Sequence, residues 1–490
     1  MGDDMKLGKT ILALLVEACA LPLTGCLGPE DAATVDPPAE TCVGEECPSR
    51  GKTETGVLLP QGYADECGFV PCPVVIAGSV LKLAADCTTD TGIAVPNGFT
   101  LDGAGYTVTA VDPPQDHFRG AIVRNCGKAA YLRNLRIAAE GLKDICDAGE
   151  DALRGILLDG ASGSVFDSEV SGINQGGGHS GCQEGTAIEV RNHGHNAQLR
   201  QVDVRGNIVS TYQKCGIRAD GAVKVNVSDN VLAGVGPTHD IAQIGIEFSG
   251  GATGTIIAND IAGHSYTGAT VASGILVVGG ELYEQPLTHK LTIQHNRLED
   301  NDVGINLAQA EAEGDPPSRR TDIEVTNNVL RSAGVTNGFV YQSAIADLGT
   351  HNHIHHNLIS GPGYDPATRP GATFAVDVTA GAPARVDFVT TEQTVPVGAC
   401  SSEVLVQSQD ANRNLVVPRE TRFTLTATGA ASPGFHFYAD PTCSGPTLSH
   451  VELSNPQAEA TFYFRAVRPG MVTLKVSNAE LHQSQTQHIQ

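Results

Sequence analysis

Glu189, Arg218 and Glu247 stand 29 residues apart, each directly after an Ala-Ile or Gly-Ile pair. Two carboxylates flanking a guanidinium could hold a hydroxyl-rich or charged substrate and move a proton on it. Arg218 would be base or charge clamp, and the two glutamates acid/base partners. Arg191, Asp220 and Ser249 keep the same step two places further on. The stretches leading into these strands are chemically rich as well. STYQKCGI (210–217) carries Tyr212 and Lys214, GPTHDIAQIGI (236–246) carries Thr238, His239, Asp240 and Gln243, and HSYTG (264–268) carries His264 and Tyr266. At the rim of an arginine-centred face they could abstract a proton beside a sugar carboxylate, with Arg191, Asp220, Gln243 and Tyr266 as substrate contacts. The competing reading is a solvated ion ladder worth at most about 1 kcal/mol per pair.

Two other stretches suggest metals. In THNHIHHN (350–357) an inward Ile354 would leave His351, His353 and His355 alternating outward, a copper or zinc patch. Successive members of that row would lie about 6.8 Å apart, too far to share one ion without bending the strand. EDND (299–302) crowds acidic oxygens of the kind calcium takes.

The 29-residue step belongs to a longer series: Gly155-Ile156, Ala187-Ile188, Gly216-Ile217, Gly245-Ile246, Gly274-Ile275, Gly304-Ile305 and Ala344-Ile345. Downstream of these pairs an apolar residue, two others, Asn, one other and an apolar residue recur, with the asparagines at Asn207, Asn230, Asn259, Asn296, Asn328 and Asn357. Upstream, Ser168 and Leu135 take the Asn position. If each repeat is one turn of a coil, equivalent residues stack about 4.8 Å apart along parallel sheets. Asn at a tight turn tolerates the left-handed conformation, and stacked amides donate to and accept from each other. Six amides in an apolar register are then satisfied rather than stranded. Alternation also turns one column outward as Leu157, Glu189, Arg218, Glu247, Leu276 and Asn306. A second reads Asp159, Arg191, Asp220, Ser249, Val278 and Ala308, so opposite charges face each other between coils.

These Asn turns and Gly-Ile strand starts resemble the right-handed parallel β-helix (pectate-lyase-like) family, and GSVLKLAADCTTDTGIAVPNGFTLDGAGYTVTA (78–110) looks like its N-terminal coils. GACSSEVLVQSQDANRN (398–414), FYADPTCSG (437–445) and FYFRAVRPGMVTLKVSN (462–478) are similar to immunoglobulin-like domains of bacterial surface proteins. The resemblance implies an all-β chain: a solenoid of eight or nine coils, then a small antiparallel sandwich. It also implies that a ligand cleft would lie on an exposed parallel sheet. Neither the paired-Asp set of polygalacturonases nor the clustered calcium-binding Asp set of pectate lyases is present, and NHGHN (192–196) matches a Gly-His-Gly turn only superficially. A lyase or glycosidase activity therefore has no known motif behind it.

The first 26 residues read as a secretory signal starting at Met5, and LTGC (23–26) resembles the bacterial lipobox. This implies a diacylglycerol on Cys26 as the only membrane anchor; Glu17 inside the apolar stretch departs from the pattern. Residues 27–60 hold seven acids against two bases and no periodicity, a disordered acidic tether. The β-helix is expected over 61–362, a Pro/Gly-rich linker over 363–383 and the sandwich over 384–490. Net charge is −24, which argues against nucleic acid and disfavours acidic polysaccharides unless a divalent cation bridges them. There is no Trp for a sugar-stacking platform. Of thirteen cysteines, the expected bridges are Cys42–Cys47, Cys182–Cys215 and Cys400–Cys443, with Cys67, Cys72, Cys87, Cys126 and Cys146 unassigned. The expected function is that of a lipid-anchored protein of the bacterial envelope that binds, and in one variant modifies, extracellular glycan. A non-catalytic adhesin or spacer and a periplasmic metal-handling protein are the alternatives.

Overall fold

The computed structural model describes residues 57–58 and 69–490, apart from 176–180, 195–196, 335–336, 338–340, 365–372, 379–382, 410–415 and 454–457. The signal segment, Cys26, Cys42, Cys47 and almost all of the acidic stretch lie outside the described residues. Val57–Leu58, at the end of the expected tether, pairs antiparallel with Phe69–Val70.

One winding shows how the repeat folds. Cys215–Gly221 lies in a first sheet, Val223–Ser228 in a second and Val231–Ala233 in a third, before the chain returns to the first sheet at Ile244–Ser249. Stacked windings make parallel sheets of ten, eleven and ten strands, called here sheets 1, 2 and 3. Ile156, Ile188, Ile217, Ile246, Ile275, Ile305 and Ile345 align in sheet 1. Val204, Val227, Ile256, Ile293, Val325 and Ile354 align in sheet 2. All of them are buried in one continuous core. Like side chains stacked on like give each coil the same cross-section, which is why the spacing repeats. The glycine before the isoleucine has its own cause: a Cβ on Gly245 would stand 2.5 Å from Gly274 O and 2.8 Å from the Ile261 side chain.

The six asparagines form one file. Each Nδ2 donates to the Oδ1 of the next at 2.9 Å, from Asn207 through Asn230, Asn259, Asn296 and Asn328 to Asn357. Each of those Oδ1 atoms also accepts the preceding asparagine's backbone N–H at 2.9–3.0 Å. The left-handed residue of the turn is not the asparagine, as expected, but its predecessor: Asp229, Ala258, His295, Asn327 and His356 have φ of 55–57°. That residue turns the chain, so the asparagine keeps an ordinary backbone and its amide points inward. Ser168 extends the file, its backbone N–H donating to Asn207 Oδ1 at 3.0 Å.

Both ends of the coil are closed. Val74–Ala77 folds back antiparallel on Val80–Leu83, the first sheet 2 strand in parallel register. At the far end Thr373–Val378 adds a tenth strand to sheet 1, inside the stretch expected to be linker. Residues after 383 form two five-stranded, largely antiparallel sheets around Phe423, Phe435, Phe437, Phe462 and Phe464. Gln407 of this unit donates from Nε2 to Asn357 O and to Glu459 Oε2, both at 3.0 Å, so it caps the asparagine file.

The bridges differ in part from expectation. Cys400–Cys443 forms, but Cys182 pairs with Cys146 instead of Cys215, and Cys72 pairs with Cys87. Cys215 is a buried free thiol. It points outward from sheet 1 into a small apolar cluster with Ile244, Leu276 and Tyr283, whereas Cys182 lies in the loop leading to the Thr186–Asn192 strand.

Asn259→Leu should lower stability by about 2–3 kcal/mol, since it leaves the Asn230 backbone N–H and one Asn230 Nδ2 hydrogen without an acceptor in the interior; urea denaturation measures it, and a loss under about 0.5 kcal/mol would contradict the ladder's role. At the cap, burial pushes Glu459 up to about 8 against the Gln407 hydrogen bond. The folded chain then holds a proton that the unfolded chain loses above about 4.5. Stability is full below that pH and falls by about 1.4 kcal/mol per unit until about pH 8. Glu459→Gln should flatten this slope in urea midpoints taken across the window.

Candidate functional site

The sheet 1 register sets Glu189 beside Arg218 and Arg218 beside Glu247, with Arg191, Asp220 and Ser249 in the adjacent column. Sequence reasoning expected an open charged face there. Instead Glu189, Arg191, Asp220 and Glu247 are all buried. The cause is the long turns between sheets 3 and 1, which fold back over the strands and bring partners with them. Arg154, anchored on Gly149 O and Ala152 O, pairs with Glu189. Glu150 meets Arg191 at 2.5 Å, opposite Asp159 at 2.8 Å.

Arg218 is the centre of what remains accessible. Its side chain is 23% exposed, with Asp220 at 3.0 Å and Glu247 at 3.3 Å. Burial pulls its pKa down, but the charges of Glu247, Asp220 and Glu189 outweigh that and raise it further above the ordinary arginine range. A guanidinium so held stays charged, which removes it as a general base and leaves it as a clamp. Exposed His193 lies 3.3 Å from Asp220. The Asp220 hydrogen bond raises the His193 pKa, while His193 and Arg218 hold Asp220 below the usual carboxylate range despite its burial.

The expected rim residues divide. Tyr212 is not at the rim but in the core, bonded to His264, and burial raises its pKa well above ordinary. His264 in turn bonds Asn301 Oδ1 at 2.7 Å, and burial pushes it down to about 4, a neutral imidazole. Lys214 Nζ donates to Ala242 O at 3.0 Å, and Gln243 bridges Val235 N and Tyr212 O, so both are structural. His239 and Asp240 are exposed and touch each other at 3.2 Å, while Tyr266 is half-buried beside Thr238. Arg218 pairs with Asp220 and Glu247 and not with His239, Asp240, Tyr266 or Thr238.

The metal candidates do not gather as one set of three histidines. His351 takes φ 59° ahead of the strand, His355 is buried with Nε2 2.5 Å from Glu324, and His353 stands 3.8 Å from the same carboxylate. In EDND, Asp302 turns inward onto Tyr266 N and Ala272 N, Asp300 accepts from Ala333 N and Glu299 pairs with Arg297, so no calcium cage forms. Among the described residues the one close-set trio of ligand types is Cys146, Cys182 and Glu184, and its sulfurs are joined to each other.

Arg154, Glu150 and His193 were missed. Arg154 was within reach, since it heads the strand in register with Thr186 and Cys215; extending the columns one place upstream exposes it. Glu150 and His193 sit in turns that no period places.

The family model described as a right handed beta helix region matches residues 154–366. With the three parallel sheets, this makes residues 74–378 a right-handed parallel β-helix. No curated protein matches the sequence. Among solved structures the chain is similar to the Dettilon tailspike protein, at 13% identity and TM-score 0.38 over 79% of this chain and 86% of that one. Tailspike protein 2 of the Escherichia coli O157:H7 bacteriophage CAB120 follows at 10% identity and TM-score 0.23, over 78% and 64%. Domains 4 and 5 of the S-layer protein SbsC match at 13% identity and TM-score 0.16 over 23% of this chain, which spans 56% of that structure.

Proposed function

We propose that the chain is a bacterial envelope lipoprotein, held by a diacylglycerol on Cys26, whose β-helix binds extracellular carbohydrate at the face centred on Arg218. The observation that carries the reading is Arg218 itself. Its planar donor is fixed at the surface between two acceptors, with His193 beside it, which suits bidentate hydrogen bonding to sugar hydroxyls. Binding without cleavage is the better-supported form. Glu189 and Glu247 are each tied to an arginine, and Arg218 cannot give up its proton. The terminal double-sheet unit, read as an immunoglobulin-like domain, is consistent with a surface protein. A non-catalytic spacer is the second reading, favoured by the mutual pairing of these charges.

A neutral-glycan array probed with wild type and Arg218→Ala tests the face. The expected outcome is binding that falls at least about tenfold in the variant, roughly 1.4 kcal/mol. No binding leaves the spacer, and binding indifferent to Arg218 removes this face as the site. Mass spectrometry of the detergent-extracted protein tests the anchor: the mature N-terminal peptide should begin at Cys26 with a diacylglycerol. An unmodified peptide or a different cleavage point would overturn it.

A further inference from the structure

A groove of about 610 Å³ runs across successive coils at the N-terminal end of the β-helix, outside the turn between sheets 2 and 3. Asn134 and Asp167 stand at successive turns on one side, both at left-handed positions. Arg136, Glu169 and Ile208 stack in register on the other. Gly206 keeps the trough open where it passes Asp167, because a Cβ there would lie 2.4 Å from Asp167 Oδ1. The side chains of Asp167 and of Lys82, which also lines the groove, have no ion-pair or hydrogen-bond partner among the described residues. Arg136 and Glu169 meet only at 3.7 Å, and Ile208 is 53% exposed.

We propose that this groove binds a neutral, hydroxyl-rich oligosaccharide laid along the coil axis. The free Asp167 carboxylate and the loosely paired Glu169 accept from hydroxyls while Lys82 and Arg136 donate to them, and Ile208 offers an apolar surface to the C–H face of a ring. Both signs of charge line the trough, so it makes no demand for an ionic ligand. The net charge of −24 opposes an anionic polymer. A metal is disfavoured too, since no three ligand atoms converge there among the described residues. The coil rise of about 4.8 Å presents these groups at regular intervals, as a repeating polymer requires. This site is independent of the Arg218 face.

Ile208→Trp places a tryptophan, absent from the natural chain, in the groove as a fluorescent reporter. Maltohexaose, cellohexaose and mannohexaose are titrated into the otherwise intact protein, with saturation-transfer NMR on wild type as the second readout. At least one hexaose should bind saturably in both. Arg136→Ala with Glu169→Ala, both exposed changes, should weaken it at least about tenfold, whereas Arg218→Ala should leave it unchanged. The proposal is overturned by no transfer to wild type from any of the three, by binding indifferent to the double variant, or by preference for hexagalacturonate. Loss on Arg218→Ala alone would assign the sugar to the sheet 1 face instead.

Discussion

The asparagine file is the constraint on which the rest depends. Each Oδ1 serves both the side chain and the backbone N–H of the asparagine beside it, and each Nδ2 also reaches a carbonyl, as Asn259 does with Val227 O at 3.0 Å. A coil slipped by one residue would break both bonds and bury an unpaired amide, at a cost of about 1–3 kcal/mol for each group. Register is therefore pinned at one turn, and the sheets on either side inherit it. The file has to end somewhere. Ser168 shortens it at one end, and Gln407 meets the last carbonyl at the other.

Pinning a single turn leaves the rest of the winding free to vary. The turns between sheets 3 and 1 use that freedom: they lengthen, fold over sheet 1 and deliver Glu150 to Arg191 and the Gly149 and Ala152 carbonyls to Arg154. Buried ions persist only when paired, because desolvation in a low-dielectric interior exceeds what an unpaired charge can recover. The same cover that makes Glu189 and Glu247 tolerable takes them out of contention as proton carriers. The face that stays wet narrows to Arg218 and His193, which meet at the buried Asp220.

A rigid stack suits ligands that repeat. Side chains on the outside of the coil cannot rearrange without moving their registered neighbours, so recognition has to come from preset spacing rather than from closure. The two proposed surfaces, the Arg218 face and the groove between sheets 2 and 3, share this property. They differ in how many of their charges are already satisfied by the protein itself.

The parallel coil was legible because its cause is periodic: isoleucines and asparagines must stack on their own kind, and a period is visible in one dimension. The adjacency of Glu189, Arg218 and Glu247 followed from the same count. Their exposure did not, since it depends on turns such as 140–153 whose length and path obey no repeat. The Cys182 pairing failed for that reason too, as did the placing of Tyr212 at the rim. The chain by itself determined which residues would be neighbours along the axis, through repetition of shape and hydrogen bonding. Only the folded molecule decided which of those neighbours meet water, because cover is supplied by segments that are irregular in sequence and joined to the face through space.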